Sequence, residues 1–176
     1  MKIRRGLTLI ETLLTSLILL LTVAALYAFL ALGVNSYWAS RVYLDLQQSA
    51  RLVISYVATD LMEAVPNLPN SPAVSLPNLT NPTTSELIFN RAVYPFDPFH
   101  PRYEVVRYVY NPTKKTVDSY VNSVKQRSIG KNIKTFQVRR RTDILYEITV
   151  AAEDNAGGKT LTFTLVSSVH LPYGTL

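Results

Sequence analysis

Hydrophobic residues fill one long stretch near the start of this chain. Positions 7–34 hold a single charged residue, Glu11, and no proline. A helix rises about 1.5 Å per residue, so about 20 apolar residues are enough to cross the hydrocarbon core of a bilayer. The stretch therefore predicts a membrane-spanning helix over 7–34.

Beyond this stretch, apolar residues recur three, four and seven positions apart, as on one face of a helix. The pattern ends at Pro66, which also disfavours helix at the residue before it. We therefore predict an amphipathic continuation over 35–65, and one helix from Leu7 to about Ala64. We expect its apolar stripe to pack against the rest of the protein. The stripe consists of Tyr43, Leu46, Ala50, Val53, Val57 and Ala64.

The remaining residues, 66–176, change to the alternation of period two that is typical of strands. A proline-rich loop comes first, over 66–85, and a second loop rich in proline and aromatic residues covers 94–101. Two glycines at 155–158 predict a tight hairpin. Predicted strands cover 86–90, 103–110, 117–124, 134–141, 144–152 and 161–165. The whole pattern predicts an α+β fold, with a long N-terminal helix packed against an antiparallel β-sheet.

Composition limits the chemistry. The chain has 176 residues and no cysteine, which excludes disulfides, cysteine-ligated metal centres and a cysteine nucleophile. Its length allows one ordinary domain, here carried on an extra helical element. The 18 Lys and Arg residues against 12 Asp and Glu residues give a net charge of +6.

Three of the positive charges, Lys2, Arg4 and Arg5, precede the apolar stretch. Basic residues on one side of a span favour an orientation with that side in the cytoplasm. A secretory signal peptide is one alternative, with a weak cleavage site at 31–33. Its apolar region would be only about 7–15 residues long. A plain single-span anchor is a second alternative.

Glu11 is the residue that a plain anchor does not explain. A carboxylate at the centre of a bilayer costs about 2.5–3.5 kcal/mol even on lenient insertion scales. A local explanation is a capping box with Thr8, in which each side chain bonds the other residue's backbone amide. The second explanation is that Glu11 meets a positive charge on another chain. The two explanations are compatible.

The order of these features is informative. Residues 1–6 end in Gly6, residues 7–11 end in Glu11, and an unbroken apolar helix follows. This N-terminus closely resembles the class III signal of type IV pilins and type II secretion pseudopilins. The resemblance implies that a prepilin peptidase cleaves after Gly6 on the cytoplasmic side. Leu7, where phenylalanine is common, would become the N-terminus and is expected to be N-methylated. Glu11 would then neutralise the Leu7 ammonium of a neighbouring subunit.

A second, more diffuse resemblance covers most of the part of the chain that follows the apolar stretch. It lies in residues 46–66, in the strand around 106–108 and in the segment 129–138. The similarity is to J-type pseudopilins and W-type minor pilins. The resemblance implies a minor pilin or pseudopilin that initiates or caps a filament. It implies as partners the prepilin peptidase, other pilins of the filament, the inner-membrane assembly platform and the inner membrane itself. It also implies a bacterial inner-membrane location, with the globular domain in the periplasm.

This resemblance implies four segments: a leader over 1–6, a transmembrane and assembly helix over 7–34, its amphipathic continuation over 35–65 and a β-rich domain over 66–176. Removing Lys2, Arg4 and Arg5 with the leader reduces the basic side chains from 18 to 15 against 12 acidic ones, so the balance falls from +6 to +3. Whether the filament serves a pilus, a secretion system or DNA uptake stays open.

Catalytic signals are weak. The two histidines, His100 and His170, stand seventy positions apart, and no nucleophile, phosphate-loop or metalloprotease motif occurs. The adjacent acids Glu153 and Asp154 fall short of the six to eight oxygens of a calcium site. We therefore predict a protein that is not an enzyme and has no cofactor or metal.

A basic cluster over 125–141 raises the alternative of a polyanion site at Arg139, Arg140 and Arg141, as in a DNA-binding minor pilin of a competence system. Strand alternation sends Arg140 to the opposite face from its neighbours. Salt bridges to nearby acids are the favoured explanation, and nucleic acid is the less favoured partner. A single-span-anchored periplasmic binding domain that never polymerises is the remaining alternative.

Overall fold

The computed structural model describes residues 9–65, 73–77, 83–93 and 102–172. The chain divides into two compact units, Met1–Arg41 and Val42–Leu176. Several predicted features lie outside the described residues. They are the leader charges Lys2, Arg4 and Arg5, the processing residues Gly6 and Leu7, the capping residue Thr8, the loop 94–101 with His100, and most of the proline-rich loop.

A single helix, α1 (Leu9–Met62), accounts for 54 residues. It contains no proline and only one glycine, Gly33, so nothing interrupts its backbone bonding. At its end the amides of Glu63 and Ala64 donate to the carbonyls three residues earlier, both at 3.1 Å. These bonds tighten the last turn before Pro66. The predicted long N-terminal helix is confirmed.

The second part of α1 buries one stripe against the β-rich region. Leu46, Ala50, Val53 and Val57 of the predicted stripe are at most 2% exposed. Ile54 and Leu61 join them as further core residues. Tyr43 differs, because it remains 44% exposed while its ring meets Phe163 edge to face at 5.6 Å. The amphipathic pattern therefore identified the correct face of the helix.

Nine strands follow α1 in the described residues. They are β1 (Val74–Leu76), β2 (Thr83–Thr84), β3 (Glu86–Ala92), β4 (Tyr103–Asn111), β5 (Thr116–Val121), β6 (Val124–Ile129), β7 (Ile133–Arg140), β8 (Leu145–Ala156) and β9 (Lys159–His170).

The strands form two antiparallel sheets, with the orders β1-β3-β4-β5-β6 and β2-β7-β8-β9. The chain passes from the second sheet to the first through Ser85, between β2 and β3. The predicted α+β class is confirmed, and the arrangement of one long helix with antiparallel sheets is consistent with a pilin-like fold. The strands divide between two sheets where the sequence pattern predicted one.

One predicted strand, 117–124, is wrong in its extent. Asn122 and Ser123 have φ angles of 48° and 69°, so the chain turns there and returns as β6. The side-chain oxygen of Asn122 accepts a hydrogen bond from the Val105 amide at 3.0 Å, which stabilises the turn. The predicted hairpin at 155–158 is confirmed, with its turn at Gly157 and Gly158.

Both sheets contribute side chains to one hydrophobic core with the second part of α1. The largest fully buried side chains come from both sheets, including Phe89 and Tyr108 of the first and Phe136 and Tyr146 of the second. Aromatic side chains bury large areas, so these residues contribute much of the stabilisation of the core.

Candidate membrane and assembly segment

The first part of α1 is apolar around its whole circumference. Between Leu9 and Val34 the large hydrophobic side chains are 49–83% exposed. A helix that is hydrophobic on all sides is stable only inside a large core or a bilayer. By length and composition, α1 is able to cross a membrane. Within the described residues, the prediction of a single N-terminal helix long and apolar enough to span a bilayer is therefore confirmed, while its orientation and cellular location stay predictions.

The hydroxyl groups of this segment bond to its own backbone. Thr12 donates to the Leu9 carbonyl at 2.8 Å, and Thr15 donates to the Glu11 carbonyl at 2.6 Å. Ser16 and Thr22 make equivalent bonds to carbonyls three and four residues earlier, both at 2.8 Å. An unpaired polar group in hydrocarbon costs several kcal/mol. These bonds remove that penalty and make the segment compatible with lipid.

Glu11 lies in the first turn of α1, where the helix dipole favours a negative charge. The next charged residue along the chain is Arg41. Positions 12–40 are therefore uncharged throughout. The predicted partners of Glu11, Thr8 in the capping box and the Leu7 ammonium of a neighbour, lie outside the described residues.

An aromatic pair follows the apolar segment. The rings of Tyr37 and Trp38 meet edge to face, with centroids 6.0 Å apart. The Arg41 guanidinium carbon lies 5.6 Å from the centroid of the Trp38 ring, within the range of a cation–π contact. Both rings are at least half exposed, at 63% and 50%. Sequence reasoning missed this group, although its signal is local: two aromatic residues and a cation directly after a long apolar run.

An ion cluster joins the last turns of α1 to the first sheet. Arg91 on β3 lies 3.7 Å from Asp60 of the helix, 3.7 Å from Glu63 directly after it, and 3.1 Å from Glu104 on β4. Burial lowers the pKa of Arg91, but the bond to Glu104 and the nearby carboxylates raise it by more. The Tyr108 hydroxyl donates to Asp60. Burial, and then this bond, raise the pKa of Tyr108 well above its ordinary value.

The candidate polyanion residues do not form one free basic surface. Arg140 is 9% exposed and pairs with Asp143 at 2.5 Å. Arg141 donates three hydrogen bonds to Glu147 from Nε and Nη2, the shortest at 2.8 Å. Arg139 is exposed and makes no ion pair within the part of the chain that the structure describes. Two of the three predicted arginines are therefore already paired with acids.

Other members of the basic cluster are occupied as well. Lys134 pairs with Glu153 at 2.5 Å, and Lys125 pairs with the buried Asp118 at 2.6 Å. The Arg127 guanidinium stacks over Tyr56 at 4.3 Å. Phe136, which stands among these cations in the sequence, is 1% exposed and so cannot stack on a base.

Metal ligands are not grouped in the described residues. Among 9–65, 73–77, 83–93 and 102–172, no three His, Asp or Glu side chains are close enough to hold an ion. Asp154 at the hairpin tip instead accepts from the Asn132 amide at 2.6 Å and from the Asn155 backbone at 2.8 Å.

Comparisons of the chain with protein-family models, with characterised proteins and with solved structures find no significant match. The functional argument therefore depends on the residues themselves.

Proposed function

We propose that this protein is a minor pilin or pseudopilin, a structural subunit of a type IV pilus or type II secretion pseudopilus. The observation that carries the proposal is the first part of α1. It is exposed and apolar on every side, with one acid in its first turn, and its continuation packs on two antiparallel sheets. The signal-like order of Gly6, Leu7 and Glu11 adds direct support.

In this proposal a prepilin peptidase cleaves after Gly6 on the cytoplasmic side and leaves Leu7 as the new N-terminus. The subunit waits in the bacterial inner membrane with its β-rich domain in the periplasm. An inner-membrane assembly platform then extracts it into a bundle of pilin helices. The role is structural, without catalysis or a cofactor.

Glu11 guides this step, because its carboxylate meets the Leu7 ammonium of the neighbouring subunit as the apolar helices pack. Removing one partner from a charge pair sheltered from water leaves the other charge uncompensated, which costs about 3–5 kcal/mol. A neutral residue at position 11 should therefore weaken entry into the filament. Among the described residues the buried core of the β-rich domain begins at Leu46, so we expect a change at Glu11 to leave that domain folded.

The test separates processing from assembly. Gly6→Leu should retain the leader, which is visible as slower migration on a gel. Glu11→Ala should be processed normally but should be absent from sheared filaments and from complexes with other pilins. Thr12→Ala is the matched control, since it removes only a local hydroxyl bond to Leu9. Incorporation of Glu11→Ala at the wild-type level would refute the proposed role of this residue.

A single-span-anchored periplasmic domain that never polymerises is the second candidate. One observation favours it: an open depression of about 500 Å³ beside α1, lined by helix residues such as Asp45 and Ser49 and by Lys131 and Asn132. The same experiment distinguishes the candidates, because an anchored domain would keep its leader in the wild type and would not co-purify with other pilins.

A further inference from the structure

We propose that Tyr37, Trp38 and Arg41 bind the phospholipid headgroup layer on the extracytoplasmic side of the membrane and so fix the depth of α1. When α1 has this register, meaning this depth in the membrane, Glu11 lies in the opposite headgroup layer before assembly. This inference depends on the membrane-inserted state within the proposed function. It is independent of whether the subunit enters a filament.

The chemistry of the three side chains fits a headgroup layer. Tyrosine and tryptophan have an apolar ring and a polar group, and they are enriched where hydrocarbon meets water. Both rings are at least half exposed in α1. Arg41 stands beside Trp38, and its guanidinium is suited to binding a lipid phosphate. Together they present rings toward the acyl chains and a cation toward the phosphates.

The spacing along α1 matches the thickness of a bilayer. Trp38 follows Glu11 by 27 positions, from 11 to 38, which corresponds to about 40 Å along a helix axis. A bilayer with its headgroups is about 40–45 Å thick, and its hydrocarbon core about 30 Å. When Trp38 lies at one interface, Glu11 therefore reaches the other. All of positions 12–40 between Glu11 and Arg41 are uncharged.

This register explains how a membrane helix can carry an acid. In the resting state the Glu11 carboxylate is hydrated among headgroups, near the side on which the leader charges are expected. Extraction toward the periplasm would draw Glu11 into hydrocarbon. That movement becomes favourable only when the carboxylate meets a positive charge there, such as the terminal ammonium of a neighbouring subunit. The anchor would thus oppose extraction of a subunit that has no partner.

Tyr27 and Phe29 show that exposure alone does not select the anchor. Both are exposed, at 75% and 74%, yet they precede Trp38 by 11 and 9 positions. They would lie about 14–17 Å deeper, within the acyl chains. They also lack a neighbouring cation, because the nearest charge after them is Arg41. These two residues therefore serve as controls for depth.

The chain has one tryptophan, so its fluorescence reports the depth of position 38 directly. The full chain would be placed in vesicles of phosphatidylethanolamine and phosphatidylglycerol that carry bromine either near the glycerol or near the acyl ends. We expect at least twofold stronger quenching of Trp38 by the shallow bromines. The variant Phe29→Trp with Trp38→Phe should reverse this preference.

Other results would overturn the inference. Equal or stronger quenching of Trp38 by the deep bromines would place it in the hydrocarbon. Absence of quenching by either lipid would mean that position 38 lies in water or is covered by protein, including a neighbouring subunit.

The absence of cysteine allows a second measurement at the other end. Leu9→Cys and Leu20→Cys would be exposed to a water-soluble maleimide from the cytoplasmic side. A thiol in hydrocarbon does not ionise, so we expect labelling at position 9 to be at least about tenfold faster than at position 20. Equal protection of the two positions would contradict the register. Neither readout depends on processing or filament entry, so the proposed function can fail while this inference holds.

Discussion

A Cβ atom on Gly130 would lie 2.7 Å from Cγ2 of Val53, closer than carbon atoms that are not bonded to each other normally approach. Gly130 follows β6, has a φ angle of +72°, and lies directly against the buried stripe of α1. The absence of a side chain at this position therefore allows the first sheet to come close to the helix.

The first prediction concerns this contact. Gly130→Ala should lower the free energy of unfolding by about 2–4 kcal/mol, because it combines backbone strain with overpacking against Val53. Gly158→Ala is the matched control, since its φ angle is +76° and its Cβ would meet open space. It should lose only about 1 kcal/mol. Denaturant unfolding of the full chain in detergent measures both losses of stability. Equal losses would show that the contact with Val53 adds nothing to the cost of Gly130→Ala.

The second prediction concerns Asp118, which is 3% exposed on β5. Burial alone would raise its pKa, but bonds from Asn111, Lys125 and Ser128 hold the pKa well below the usual range. The ordinary pKa of an unfolded aspartate is about 3.9. A depressed pKa stabilises the fold above that pH, and this stabilisation is lost as the pH falls toward the folded-state value.

Asp118→Asn should therefore reduce stability at neutral pH by about 1–3 kcal/mol. The difference from the wild type should narrow steadily below about pH 4. Asp45→Asn, on the exposed side of α1, is the control and should leave stability at neutral pH close to that of the wild type. Thermal unfolding of the full chain at a series of pH values measures this. A loss for Asp118→Asn that is constant with pH would contradict the assignment.

The third prediction concerns the hydrogen bond from Tyr108 to Asp60. Tyr108→Phe should cost about 1–2 kcal/mol, because the partly buried Asp60 carboxylate loses a donor while the ring stays in the core. Tyr56→Phe removes a hydroxyl from a 38% exposed ring and should be close to neutral. Urea unfolding distinguishes them, and similar values for the two variants would mean that Arg91 alone satisfies Asp60.

The fourth prediction concerns nucleic acid. Because Arg140 and Arg141 are paired with acids, the triple variant Arg139→Ala, Arg140→Ala, Arg141→Ala should retain DNA as weakly as the wild type in a filter-binding assay. Arg139→Ala alone is the control, because it leaves the buried Arg140 in place and so separates a loss of binding from a loss of folding. Strong wild-type binding that falls steeply with salt and disappears in both variants would instead favour a DNA-uptake role.

The sequence predicted best what is local. Two glycines at the β8–β9 turn and a proline after α1 mark those boundaries, because each restricts the backbone at its own position. The turn at Asn122 and Ser123 escaped prediction, since two non-glycine residues adopt positive φ there and the following strand is mostly polar and exposed. The division into two sheets depends on long-range pairing, which no local pattern encodes.

The same distinction applies to the candidate site. The apolar segment and Glu11 could be identified from the sequence, because a long apolar run and a single acidic residue within it can be read directly from the order of the residues. The contact between Trp38 and Arg41 could also have been predicted from the sequence, because the two residues stand three positions apart, as neighbours on one face of a helix do. The cluster around Arg91 was not, because its carboxylates come from positions 60, 63 and 104, which only the folded chain brings together. The pairing of Lys134 with Glu153 likewise required the register of β7 and β8, whereas Arg140 and Asp143 stand only three positions apart.

The fifth prediction addresses the central claim, that this chain is processed and assembled as a pilin-like subunit. The intact mass and N-terminal residue of the protein from its native membrane give the answer in one measurement. We predict a chain that begins at Leu7, with a methylated amine, in both the membrane and the filament fraction. A mature chain that begins at Met1, or one cleaved after Gly33, would contradict the account.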